Sequence, residues 1–158
     1  MLGAGAAGLG VERMDVHEAK LGRLFLLKMA HGDDLLQEIM DFAASRQVRA
    51  AWLFFLGALK QGQLVSGPAL PELPPVPVWQ AFSQGWEILG LGNLFWEDDT
   101  PKLHLHGALG KGEATLTGCL RRENEVYLVA EILVLELTGP SVRRRLDPAL
   151  GVSLLEFP

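Results

Sequence analysis

Residues 102–137, KLHLHGALGKGEATLTGCLRRENEVYLVAEILVLEL, decide the fold. Apolar and β-branched residues fill the stretch. It breaks only at Gly110-Lys111-Gly112 and in the polar run from Arg121 to Glu125. That spacing predicts three consecutive strands, 102–109, 113–120 and 126–137, in an antiparallel meander. The last strand carries Glu131 and Glu136 inside its apolar run. It therefore reads as a buried strand, because a membrane span needs ~20 predominantly apolar residues in a row.

Upstream, residues 78–84 and 86–96 read as two more strands, with a turn over 97–101. Residues 68–77, PALPELPPVP, hold five of the nine prolines and predict a stiff extended loop inside one domain. Further back lie a short strand at 63–66 and a buried strand at 48–56. Residues 34–46 predict an amphipathic helix. Asp34 and Gln37 form a capping-box pattern, and Leu35, Ile39, Phe42 and Ala43 follow at helical spacing. A first strand is expected over 22–29. The Gly/Ala-rich residues 1–13 read as a flexible leader. Their literal GxGxxG has no strand before it, as a dinucleotide turn requires. Beyond residue 138 the pattern predicts no element. The order is strand, helix, then mostly strands. It predicts a single α+β domain over 14–158, with a largely antiparallel sheet and one main amphipathic helix.

The composition narrows the function. A chain of 158 residues that is 49% apolar suits one globular domain. A net charge of −5 speaks against a free-standing, high-affinity nucleic-acid binder. A lone cysteine, Cys119, excludes an intrachain disulfide framework and fits a reducing compartment. With no basic leader and no apolar span, the expected location is cytoplasmic, away from membranes.

Chemistry concentrates at His104-Leu105-His106. Residues two apart in a strand share a face, so both imidazoles point the same way. If Lys111-Gly112 forms a two-residue turn, His104 falls opposite Cys119 and His106 opposite Thr117, with Cβ atoms about 4.5–5.5 Å apart. Two imidazoles and a thiolate then supply three ligands for zinc or another divalent transition metal, and a fourth position stays open. A three-residue turn would instead send Cys119 to the far face. Other readings stand beside this one. Cys119 can be a small core residue and the histidines solvent-facing. It can also be a nucleophile with a histidine base, although no oxyanion loop is recognisable. Glu131 is the candidate carboxylate behind a ligand, and Arg121, Arg122, Arg143, Arg144 and Arg145 are the candidate nucleic-acid contacts.

Several short pieces occur in a familiar order. They are Gly32-Asp33-Asp34-Leu35, Gly57-Ala58-Leu59, Trp86-Glu87-Ile88-Leu89-Gly90-Leu91-Gly92-Asn93 and Pro101-Lys102-Leu103-His104-Leu105-His106. Gly118-Cys119-Leu120 and Val129-Ala130-Glu131-Ile132 come after them. The set resembles the plants-and-prokaryotes-conserved (PPC) domain over residues 22–158, in the form of a stand-alone prokaryotic member without an AT-hook. The resemblance implies a homotrimer and a histidine cluster taken as a metal site. Prokaryotic members are usually described as predicted DNA-binding proteins. His104 and His106 match the cluster. Cys119 departs from it, standing where the family has histidine. Cysteine is itself a good zinc ligand, but the change could equally mark a degenerate site. Three functions are expected in consequence: a DNA-associated regulatory homotrimer whose DNA contact is weak, a zinc-dependent enzyme on a small molecule, and a non-catalytic binding or scaffold domain.

Overall fold

In the computed structural model, described for residues 14–139 and 142–157, the predicted strands 113–120 and 126–137 are one element. The chain runs β1 (Lys20–Ala30), α1 (Leu35–Arg46), β2 (Ala50–Pro68), β3 (Pro77–Phe82), β4 (Trp86–Glu97), β5 (Thr100–Lys111), β6 (Ala114–Thr138), β7 (Arg143–Asp147) and β8 (Val152–Glu156). Every strand pairing among the described residues is antiparallel. With one helix, of 12 residues, among the described residues, the fold is β-rich rather than an even mixture of helix and strand. No helix among the described residues is long and apolar enough to cross a membrane. The Gly/Ala-rich stretch 1–13 lies outside the described residues.

The main sheet has the order β1-β6-β5-β4-β2-β3, and β6 also pairs with β2. Pairing therefore passes from β2 to β4, β5, β6 and back to β2, and the sheet curls closed. Closure requires β2 and β6 to bend. In β6 the bend falls at the polar run that has the composition of a break: Glu123 has φ 54, and the register against β2 slips between Gln61 and Leu64. Bulges keep a strand continuous while turning it, which is why polarity there does not mean a turn. In β2 the bend uses Gly57, at φ 146, where an added Cβ would meet the Val129 carbonyl at 2.3 Å. The strands expected at 48–56 and 63–66 are thus the two ends of β2.

The helix covers one side of this sheet. Asp34 Oδ1 accepts from the Leu36 and Gln37 amides at 3.0 and 2.9 Å. The Gln37 side chain turns to Asp41 instead of reaching back, so the cap is half of the expected box. Leu35, Ile39 and Ala43 are fully buried, and they share one core with Leu53, Leu94, Leu105, Leu109, Ile132 and Val134. Gln47 ends the helix in the left-handed region at φ 54, with its amide bonded to the Ala43 and Ala44 carbonyls. Beside it, Arg23 forks onto the buried Glu136, with Nε 2.7 Å from Oε2 and Nη2 2.6 Å from Oε1. Arg23 Nη2 also reaches the Arg46 carbonyl.

The opposite side of the sheet is different. Rows of directly opposed residues cross it: Leu24, Leu135, Trp52, Asn93, His104; then Leu26, Leu133, Phe54, Leu91, His106. Leu24, Leu26, Trp52, Phe54, Leu89 and Leu91 are all exposed. Glu131 sits on this face opposite Lys28 and Leu56, and it is exposed. Its neighbours Ala130 and Ile132 take the buried positions. The expectation of a buried carboxylate supporting a ligand is therefore corrected, since strand alternation sends Glu131 outward.

Candidate metal centre

β5 alternates sharply. Leu105 and Leu109 point into the core, while His104 and His106 point out and are exposed. Their Nε2 atoms are 3.1 Å apart and the rings meet edge to face. The turn after β5 is Gly112-Glu113, one residue later than expected, because Lys111 pairs with Ala114 and Gly112 takes φ 57. His106, not His104, therefore lies opposite Cys119, and Thr117 faces Ala108. The expected pairing is corrected by a slide of two residues. A slide of two preserves the face, so Cys119 still joins the histidines. Gly118 brings β6 close to β2, since a Cβ there would meet the Val65 carbonyl at 2.4 Å.

The His104, His106 and Cys119 donor atoms all lie within 4.8 Å of one another. Two nitrogens held ~2.0–2.1 Å from a tetrahedral ion stand about 3.3–3.4 Å apart, close to the separation of the imidazole pair. Electrostatics help one donor. Partial burial, then His106, Arg144 and Arg121, pull the His104 pKa down to about 4, so at neutral pH its lone pair is free of a proton. Burial pushes the Cys119 thiol up, and Arg121 and Arg144 oppose that rise. A metal would complete the deprotonation, because the thiolate is the ligand. The donor set therefore fits a borderline-soft divalent ion.

The cluster borders a groove of about 1110 Å³ roofed by the β7–β8 hairpin. No element was expected there, yet Asp147-Pro148 with Gly151 carries a turn signal. Asp147 Oδ1 accepts from the Ala149 and Leu150 amides, and Gly151 has φ 67. Arg144 reaches down from β7. Its Nη2 donates to Asn93 Oδ1 at 2.6 Å and its Nη1 to the Ser153 carbonyl at 2.8 Å. Asn93 reads in the sequence only as the end of the 86–93 piece, Trp79 only as part of a strand and Arg144 only as one of a run of arginines, because none has a local signature of its place in the groove.

The structure breaks up the expected basic knot. Strand alternation buries Arg144 and sends Arg143 and Arg145 outward, where both pair with Glu156. Arg122 lies over the Trp79 ring at 5.0 Å, and Arg121 is exposed in the groove. The five arginines expected to contact nucleic acid do not form one basic face.

A curled antiparallel sheet with a helix on one side and two exposed histidines beside the buried Cys119 on the other marks a small β-rich domain. The sequence profile of the Plants and Prokaryotes Conserved (PCC) domain matches residues 16–138, and the chain belongs to that family. It is 30% identical to a plant- and prokaryote-conserved protein of Pyrococcus horikoshii, with TM-score 0.79 over 90% of this chain and 97% of that one. It is 29% identical to a protein of Archaeoglobus fulgidus described as metal-containing, with TM-score 0.78 over 89% and 98%. A protein of Ralstonia eutropha JMP134, described as a candidate DNA-binding protein, shares the fold at 18% identity and TM-score 0.70, over 84% and 90%. A search among curated proteins finds no match.

Proposed function

We propose that the chain is a homotrimeric regulatory domain that holds one divalent transition metal, preferentially zinc, on His104, His106 and Cys119. The observation that carries this reading is the 3.1 Å Nε2 pair with the cysteine on the same face. The likeness to a protein described as metal-containing supports it. Three protein ligands leave one position for water or another group. Second and third copies of the chain are the occupants we assign to the apolar face around Leu26, Phe54, Leu89 and Leu91. Patches of this kind rarely stay open to water, and the resemblance to a trimeric family points the same way. His106 closes the row that crosses that patch, so assembly would bring neighbouring copies up to the edge of the metal centre.

DNA contact, on this reading, is weak and non-specific. The net charge is −5, and Arg143 and Arg145 pair with Glu156, apart from the groove that Arg121, Arg122 and Arg144 line. Metal analysis of the purified protein tests the centre: one ion per chain is expected, lost in Cys119→Ala and in His104→Ala/His106→Ala. Wild-type protein that takes up no zinc after chelation and reloading would overturn it. Sedimentation should show a trimer at micromolar concentration, and a clean monomer would remove the assembly. Duplex titration at ~150 mM salt should give affinities no tighter than about 10⁻⁶ M, the non-specific range.

A further inference from the structure

We infer that the groove beside the cluster is a binding site for a small organic acid, with an oxyanion head on Arg144 and an apolar body along the groove wall. The inference deepens the metal reading but stands on Arg144 and the groove, which need no ion.

Arg144 is the central observation. The residue is 7% exposed and it lines the groove. Two of its nitrogens donate to neutral acceptors, on Asn93 and Ser153, and its buried Nε has no partner among the described residues. None of these hydrogen bonds goes to a carboxylate. A guanidinium held out of water without a counter-charge is costly, and a bound anion removes that cost. The nearby acid is engaged elsewhere: Glu97 accepts from Ser153 Oγ at 2.8 Å and pairs with Lys102 at 3.5 Å. Lys102, Arg121 and Arg122 line the same groove, so the charge facing a ligand is positive. Guanidinium groups suit carboxylate and phosphate heads in particular, because their N–H fork matches two oxygens.

The remaining walls of the groove define the body of the ligand. Val65, Trp79, Leu103, Leu146 and Leu154 are among its lining residues. A volume of about 1110 Å³ is far more than a bare inorganic anion fills and leaves ample room for a small organic molecule. His104, His106 and Cys119 border the same space, so a metal held there would add a second grip on the head.

The test is calorimetric titration of the full-length protein, zinc-loaded and chelator-treated, with octanoate, octyl phosphate, acetate, inorganic phosphate and a short DNA duplex. One of the two octyl compounds should bind both forms of the protein, more tightly with zinc, and which one binds identifies the head. Arg144→Gln should weaken it at least ~10-fold, in line with the loss of a charged hydrogen bond, while zinc per chain is unchanged. Because Arg144→Gln could loosen the hairpin, Trp79→Ala is the second probe. It should weaken the octyl compound about 5- to 10-fold through lost apolar contact and leave acetate and phosphate unaffected. Wild-type protein that binds neither octyl compound in either form overturns the inference, as does affinity that survives both substitutions, or binding of the duplex alone. The two readings fail separately. Protein that binds octanoate through Arg144 yet never takes up zinc breaks only the metal centre. Protein that holds zinc yet binds no octyl compound breaks only the acid site.

Discussion

The two sides of the sheet are built from the same strands and do opposite work. On the helix side, Leu105 and Leu109 of β5 join Leu35, Ile39 and Ala43 in one buried apolar core. On the groove side, the alternate β5 residues are His104 and His106, beside a buried arginine whose Nε has no partner among the described residues. A single residue step along one strand separates the part that stabilises the fold from the part that can bind. Substitutions on the two sides should therefore separate stability from binding.

The largest expected effect breaks the core side. Leu105→Ala removes a side chain that is 1% exposed, and it should cost about 2–5 kcal/mol in denaturant unfolding. Whatever fraction stays folded should still load zinc, since both histidines are untouched. Next comes the groove side. His106→Ala should abolish zinc loading but change the unfolding free energy of metal-free protein by less than ~0.5 kcal/mol, as exposed positions usually do. Zinc should raise the melting temperature of wild type and not that of the variant, because only a ligand that binds the native state stabilises it. If His106→Ala were as damaging as Leu105→Ala without metal, the separation of the two sides would collapse.

A smaller effect depends on pH. Hydrogen bonds from Arg23 hold the Glu136 carboxyl below its ordinary range. The unfolded chain then binds more protons than the folded one as pH falls through that range. The stability from this pair is complete above the unfolded carboxylate pKa and is lost as pH drops through the lower folded value. Glu136→Gln should flatten that acid limb of a stability–pH curve while leaving zinc loading near neutral pH intact. An acid limb as steep as wild type would show that other carboxylates carry it. The smallest effect is a gain. Gln47 occupies a left-handed position that glycine adopts freely, so Gln47→Gly should stabilise the protein by about 0.5–1 kcal/mol in the same denaturation assay.

Where local pattern suffices, the sequence was legible. The Asp34 cap, the spacing of Leu35, Ile39 and Ala43, and the alternation of β5 all follow from short-range rules. Continuity was not legible. The polar run from Arg121 to Glu125 looks like a turn, yet β2 pairs alongside and turns it into a bend. The His/His/Cys grouping was legible because a face is a matter of parity, and the two-residue slide preserved it. Glu131 failed on the same parity, since its place next to Ala130 and Ile132 sends it outward. Arg144 was legible only as part of a charge cluster. Its burial comes from a hairpin that packs back over β4, and its partner Asn93 is distant in sequence.

The most direct test of the central claim is native mass spectrometry of zinc-reloaded protein beside its Cys119→Ala and His104→Ala variants. The three-ligand centre predicts one zinc per chain in wild type and none in either variant at equal protein and metal concentrations. Full zinc occupancy in Cys119→Ala would contradict it, leaving the histidines as a pair and the cysteine as core.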